Sequence, residues 1–255
     1  MALDTRQHRA HHMDTIDVLG YNLIVSNLNI IPLDSKVLVN TINPNSYGIA
    51  LKDREAEDAL KHSDFLVLDG IYFGLAALLL KRKRIKRITG WDCFVYFSRM
   101  MNQQRGSCFF MGSSPETLSK ILQRFRRDYP NVAVGTYSPP FKQVFTEDDN
   151  KAIREHINEF RPDVLFIGLT APKQEKWGYH NISDLNVHVV IGIGNVFDWY
   201  AGNSKRPGQF WQLVGLEWLV RIFHRPEIFK RNIMNQISFF WDLLLIVLRI
   251  KKGAT

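Results

Sequence analysis

Cysteine is nearly absent: Cys93 and Cys108 are the only two in 255 residues. Their spacing fits neither a disulfide framework nor a zinc-ligand set, so a disulfide-stapled secreted scaffold is excluded and a reducing compartment expected. Long apolar runs are missing as well. After Asp242 the longest charge-free stretch of apolar residues is Leu243 to Leu248, far below the roughly 20 residues a bilayer-spanning helix needs. No apolar segment opens the chain. Residues 1–14 are polar and carry His8, His11 and His12, so a secretory leader is not expected, and the histidines read as a solvated terminus or a metal-binding tract. Nucleotide motifs are equally scarce. There is no G-x-x-x-x-G-K-[ST], and Gly192-Ile193-Gly194 meets Phe197 where a third glycine would complete a dinucleotide fingerprint. No Asp-x-Asp occurs. A divalent ion held on a diphosphate by such a pair is therefore not expected; arginines and helix N-termini would meet the phosphates instead.

What is present is a globular composition, 45% hydrophobic, enough for one large α/β domain or a domain with an appendage. Lys36 to Gly70 reads as strand, turn, helix and strand. Val37-Leu38-Val39 suits a buried strand. Asn43-Pro44-Asn45 breaks it, Ser46 is placed to cap the following helix, and Phe65-Leu66-Val67-Leu68 is a second buried run ending at Asp69-Gly70. Two such strands with a crossover helix make a βαβ unit, whose ligand-binding loops lie at the strand carboxyl ends. Upstream, Ile16-Val18-Leu19 and Leu23-Ile24-Val25 flank Gly20 as a hairpin would. Downstream, helix 71–82, a short strand ending at Arg87-Ile88-Thr89-Gly90 and an aromatic helix from Trp91 to Met101 are expected. Further strands fall at Cys108–Met111, Val132–Tyr137, Val164–Ile167 and Val187–Ile193, and helices start at Ser114-Pro115, Thr146 and Pro172. This alternation predicts a doubly wound, mainly parallel, Rossmann-like sheet over residues 1–202.

Residues 203–255 differ. From Ser204 onward there are nine Lys or Arg and three acids, a charge of 9 − 3 = +6 out of the total +8. Basic residues flank two apolar segments, 208–223 and 233–250. Such a helical appendage suits an anionic membrane surface; packing on the core or on another subunit is the alternative. A second basic run, Lys81 to Arg87, holds six charges in seven residues and reads as a solvated helix end.

Several residues are chemical candidates. Asp69 at a strand end is either a general base at a crevice or a cap for the next helix. Thr41 and Asn43 are either turn formers or groups that orient hydroxyls. Arg87 is placed to point into the crevice. Lys173 and Gln174 occupy a helix first turn, as phosphate contacts or as an ordinary polar start. Arg221, Arg225 and Arg231 suit bidentate phosphate binding or solvated faces.

In combination these motifs are familiar. Thr41-Ile42-Asn43-Pro44, Asp69-Gly70, Arg87-Ile88-Thr89-Gly90, Gly168 with Pro172-Lys173-Gln174-Glu175-Lys176-Trp177, Gly194 with Phe197-Asp198, and Leu216-Glu217-Trp218-Leu219 with Arg221 follow in order. Over residues 16–232 the sequence resembles the WecG/TagA/CpsF glycosyltransferases, family 26. The resemblance implies a bacterial, inverting, metal-independent transferase without a cofactor. Its donor would be a UDP-sugar, often of N-acetylmannosamine or its uronic acid, and its acceptor a polyprenyl-diphosphate-linked saccharide at the cytoplasmic membrane face. It implies Asp69 and Thr41 as catalytic residues, and Asn43, Arg87, Lys173, Gln174, Arg221 and Arg231 as substrate-binding. An arginine usual in the family is Ile228 here, with Arg225 nearby, and helix 72–80 is more apolar than the family pattern. A non-catalytic scaffold of polysaccharide assembly is the rival reading. Nucleic acid is not an expected partner, because no recognition motif accompanies the charge; a homo-oligomer stays open.

Overall fold

The structure, a computed structural model, describes residues 15–208, 211 and 229–251. An antiparallel hairpin opens it, β1 (Thr15–Val18) and β2 (Tyr21–Ile24). Leu19 (φ +57°) and Gly20 (φ +82°) make its two-residue turn, the left-handed pair that hairpins favour. Then come β3 (Val37–Ile42), α1 (Pro44–Ala50), α2 (Arg54–Lys61), β4 (Phe65–Leu68), α3 (Ile71–Lys81) and α4 (Gly90–Gln104). They are followed by β5 (Ser107–Gly112), α5 (Pro115–Asp128), β6 (Ala133–Tyr137), α6 (Glu147–Phe160), β7 (Val164–Gly168), α7 (Lys173–Asn181), β8 (Val189–Gly192) and α8 (Val196–Ala201). The last described helix is α9 (Phe229–Val247).

Strands β3 to β8 form one all-parallel sheet in the order β4–β3–β8–β7–β5–β6. Its central strands are apolar on both sides because helices cover both faces. Val39, Val67, Phe110, Phe166 and Ile191 pack against Phe94, Phe97, Phe125 and Tyr200 of α4, α5 and α8. On the opposite face, Leu38, Leu165 and Val190 meet Ile153, Ile157 and Trp177 of α6 and α7. Ile42, Leu66 and Leu68 meet Tyr47, Phe73 and Phe239 of α1, α3 and α9. The doubly wound α/β expectation therefore holds.

Three local expectations are corrected. The first crossover contains two helices, because Asp53 caps a new start by accepting from the Ala56 N–H at 3.1 Å. Asn43, not Ser46, caps α1, and Ser46 closes the capping box from the third helical position. Residues 83–89 form no strand. A run of like charges keeps its first residues at the surface, while Ile88 and Thr89 are buried and the Ile88 N–H ties the segment to β4 through the Leu68 carbonyl at 2.8 Å.

Part of the basic tail is seated on the core. Helix α9 lies across α1, where Tyr47 donates to Asp242 Oδ2 at 2.8 Å and Lys52 donates to Asn235 Oδ1 at 3.1 Å. The Asn235 amide donates in turn to Asn45 at 3.1 Å. Of the other apolar segment of the tail only Gly208 and Trp211 are described; Leu216-Glu217-Trp218-Leu219, Arg221 and Arg225 lie outside the described residues, as do His8, His11 and His12.

Candidate active site

Strands β3 and β4 run side by side with Thr41 opposite Val67 and Ile42 opposite Leu68. Side chains alternate between the two faces of a strand, so Thr41 shares the α4 face with Val39 and Val67. Asp69 is the next residue on that face. Its N–H continues the pairing by donating to the Ile42 carbonyl at 2.9 Å. Thr41 and Asp69 are both half-buried. The Asp69 charge reaches α4: burial, Asp92 and then Asp69 all push the Cys93 thiol up. Cys93 and Cys108 are free and buried.

Asp69 is not the cap of α3. Gly70 holds that position with φ +97° and no side-chain bond, a conformation that favours glycine. A Cβ on Gly70 would stand 3.8 Å from the Asn43 Cβ, so the two turns touch. The Asn43 side-chain oxygen accepts from the Asn45 and Ser46 N–H groups, each at 3.0 Å. Its oxygen is thereby committed to the helix, and the amide nitrogen is what it can offer a ligand. Arg87 is half-buried, one residue before the Ile88 tie to β4. Thr89 caps α4 in a box with Asp92, which accepts from the Thr89 N–H and hydroxyl, each at 2.8 Å. At Gly90 the α4 start closes on the loop after β8, since a Cβ there would lie 3.3 Å from the Ile193 carbonyl oxygen.

The first turn of α7 splits its polar residues. Gln174 and Glu175 are buried, at 7% and 3% exposure. A methyl on Gly192 would lie 3.2 Å from the Gln174 amide and 3.0 Å from Asn40 Oδ1, which places Gln174 under the carboxyl end of β8. Its amide donates to Glu175 Oε1 at 2.8 Å, and its own Oε1 is buried without a hydrogen-bond partner. Lys173 instead turns outward. Its ammonium sits 3.4 Å from the Phe145 ring centre and donates to the Lys142 carbonyl, and burial pulls its pKa down. Lys176 fixes the helix by pairing with Asp53 at 2.6 Å and Glu55 at 2.7 Å on α2.

Glu175 is a residue that the sequence did not mark out. Gln174, Trp177 or Gly178, and Asn181 recur at helical spacing and define the inner face of α7; that periodicity was the available signal. Burial pushes the Glu175 carboxyl above the usual range, so folding favours its neutral form. A carboxyl raised in this way costs stability as pH climbs above its unfolded pKa, and the cost levels off above the folded pKa. Glu175→Gln should therefore gain melting temperature over wild type progressively as pH rises, read by calorimetry. A difference independent of pH would show that Glu175 is ionised in the fold.

Thr41, Asn43, Asp69 and Gln174 thus come from adjoining strand ends, with Arg87 flanking the edge strand. This is where open parallel sheets hold ligands. The tail approaches from the α4 side, where the Arg206 guanidinium lies 5.2 Å from the Trp91 ring centre and 5.6 Å from that of Trp199. A groove of about 360 Å³ runs along α4 past Trp91, Asp92, Tyr96 and Arg99. Arg221 lies outside the described residues, and Arg231 is placed only by the backbone of the first turn of α9. Among the described residues, no three His, Cys, Asp or Glu side chains gather as a metal site would need.

Comparison with known proteins assigns the family. Residues 14–253 match the model of the glycosyl transferase WecG/TagA/CpsF family. An N-acetylglucosaminyldiphosphoundecaprenol N-acetyl-beta-D-mannosaminyltransferase of Bacillus subtilis (strain 168) is 30% identical over 202 residues, covering 78% of this chain and 77% of its own. The enzyme of the same name from Bacillus spizizenii (strain ATCC 23059 / NRRL B-14472 / W23) is 27% identical, with 81% and 79% covered. That from Staphylococcus aureus (strain NCTC 8325 / PS 47) is 21% identical, with 73% and 72% covered. With a family match over residues 14–253 and a relative 30% identical over most of both chains, the chain belongs to the WecG/TagA/CpsF family and is a glycosyltransferase.

Proposed function

We propose that the protein moves an N-acetylmannosamine-type sugar, or a related hexose, from a UDP-sugar to a polyprenyl-diphosphate-linked saccharide in cell-surface polysaccharide synthesis. The observation that carries this reading is the meeting of Thr41, Asn43 and Asp69 at adjacent strand ends in a chain whose relatives are named for mannosaminyl transfer to a diphosphoundecaprenol-linked sugar. The reaction is a single displacement with inversion. The acceptor hydroxyl oxygen bonds to the anomeric carbon as the bond to UDP breaks, its electron pair leaves with UDP, and the proton passes to Asp69. Thr41 orients the reacting hydroxyl, and Asn43 offers its amide nitrogen to a substrate oxygen. The buried Gln174 oxygen accepts from a substrate hydroxyl or N–H. Arg87, Arg221 and Arg231 meet negative charge, the last two at the diphosphate, so that no metal is required. Residues 1–202 serve as the catalytic core, and residues 203–255 complete the site and hold the enzyme peripherally at the cytoplasmic membrane face. Lys173 is the weakest member of the proposed substrate set, since Phe145 and Lys142 already engage it.

Asn43→Asp separates the cap from the ligand role. A carboxylate still caps α1, so melting temperature should stay near wild type, whereas Asn43→Ala should lose about 1 kcal/mol. Catalytic efficiency should fall in both variants, because both lack the amide nitrogen. Full activity in Asn43→Asp would restrict Asn43 to capping. Determination of the product anomer by NMR, with a chelator present, tests inversion and metal independence together; retention, or loss of turnover restored by a divalent ion, would refute them.

A further inference from the structure

Helix α9 is apolar on its outer side as well as on the side that meets the core. Its core-facing side buries Phe239 and Leu243 together with Asn235, Gln236 and Asp242, none more than 7% exposed. Its outer side carries Met234, Ile237, Phe240, Trp241, Leu244 and Val247, each between 39% and 59% exposed. The orientation is held by specific bonds. Asp242 accepts from the Tyr47 hydroxyl and from Lys251, each at 2.8 Å, and Asn235 bonds Lys52 and Asn45. A water-facing helix would carry polar residues on that outer side.

Helix α3 of the core is likewise apolar on both its buried and its outer side. It buries Phe73, Ala76 and Ala77 and exposes Leu75, Leu78 and Leu79 at 43%, 40% and 52%. The two helices meet where the Tyr72 and Phe240 rings stand 5.1 Å apart, so their outer sides adjoin. Contiguous apolar surface of this kind marks an interaction site. Its margins are basic. Lys81, Arg82, Lys83, Arg84 and Lys86 end and follow α3, and Arg249 and Lys251 follow α9. Neither outer side carries an acid: α3 has none, and the single acid of α9 is the buried Asp242. Asp17 near Lys81, at 3.7 Å, and Asp242 bonded to Lys251, at 2.8 Å, offset two of these charges.

We infer that α3 and α9 together form the surface that seats on an anionic phospholipid leaflet, with the core helix α3 as a direct lipid contact. This rests on the peripheral-membrane part of the proposed function and goes beyond it, since the basic tail alone was expected to dock. No described helix is long and apolar enough to cross a membrane, so the pair lies in the interface, with apolar side chains among the acyl chains and cations at the headgroups. Helix α3 begins at Ile71, two residues after Asp69. Seating it brings the carboxyl end of β4 close to headgroup level, where the diphosphate of a lipid-linked acceptor resides.

The test uses the full chain and vesicles of phosphatidylglycerol and phosphatidylcholine in equal parts. The triple variant Leu75→Gln, Leu78→Gln, Leu79→Gln alters exposed positions only, and circular dichroism checks that it is folded. Its vesicle partitioning should fall about tenfold or more, as should that of Ile237→Gln with Trp241→Gln. Lys83→Glu with Arg84→Glu should weaken binding most at low salt. Turnover of a water-soluble short-chain acceptor should be unaffected in the α3 variant, which separates loss of docking from failure of the proposed reaction. Wild-type vesicle binding in the folded α3 variant would overturn the inference. So would a wild-type oligomer that ignores vesicles and dissociates in these variants, because the face would then join copies of the chain.

Discussion

Asp69→Asn should lower turnover by about a hundredfold to ten-thousandfold while leaving UDP-sugar affinity near wild type. Asparagine matches the shape of aspartate but cannot take the acceptor proton. The carboxylate sits one residue past β4, held by the Asp69 N–H bond to the Ile42 carbonyl, and that backbone bond survives the substitution. Gly70 rather than Asp69 occupies the cap of α3, so the substitution leaves the cap residue in place. Folding and donor binding are therefore expected to be retained and the chemical step lost, as seen in UDP release under saturating substrate. Near-normal turnover would remove Asp69 as base. A large loss of donor affinity with little change in turnover would reassign it to binding.

The second large effect is expected at Gly48. A Cβ there would fall 2.4 Å from the Cα and carbonyl oxygen of Asn235. These are backbone atoms of the crossing helix, so no rotamer change relieves the clash. Glycine inside a helix costs about 0.5–1 kcal/mol relative to alanine, and here it allows α1 and α9 to touch. Gly48→Val should lift α9 from the core, uncovering Tyr47 and Phe73, at about 1–3 kcal/mol. Melting temperature should drop by several degrees, and turnover should fall with it if Arg231 acts from the first turn of α9. A control, Asn45→Ala, removes only one bond to Asn235 and should have a much smaller effect. Unchanged melting and turnover in Gly48→Val would mean that the α1–α9 contact does not hold the tail.

The parallel sheet was legible because its strands are short runs of Val, Ile, Leu and Phe, separated by helix starts with ordinary caps such as Ser114-Pro115 and Thr146. The place of Asp69 at the end of a buried strand was legible for the same reason, but not its role, since a helix cap and a general base suit the same position. Harder to read were features made by distant contacts. Asn43 and Ser46 both suit a cap, and only the backbone geometry of α1 assigns the role to Asn43. Arg87-Ile88 looked strand-like, yet it joins no sheet, and its Ile88 N–H bonds the Leu68 carbonyl at the end of β4. Lys173 and Gln174 are neighbours in sequence but part ways in space, one toward Phe145 and the other beneath Gly192. The apolar character of α3 was visible in the sequence, but its exposure was not, because a buried helix and a lipid-facing helix have similar composition.

The central claim is sugar transfer from a UDP donor to a lipid-linked diphosphate acceptor. Its most direct test is UDP release by the purified full chain, across a set of UDP-sugars, with and without a short-chain polyprenyl-diphosphate-linked N-acetylglucosamine. The account predicts release that requires the acceptor, is greatest with an N-acetylmannosamine-type donor, and is lost in Asp69→Asn. Absence of acceptor-dependent UDP release with every donor would contradict it.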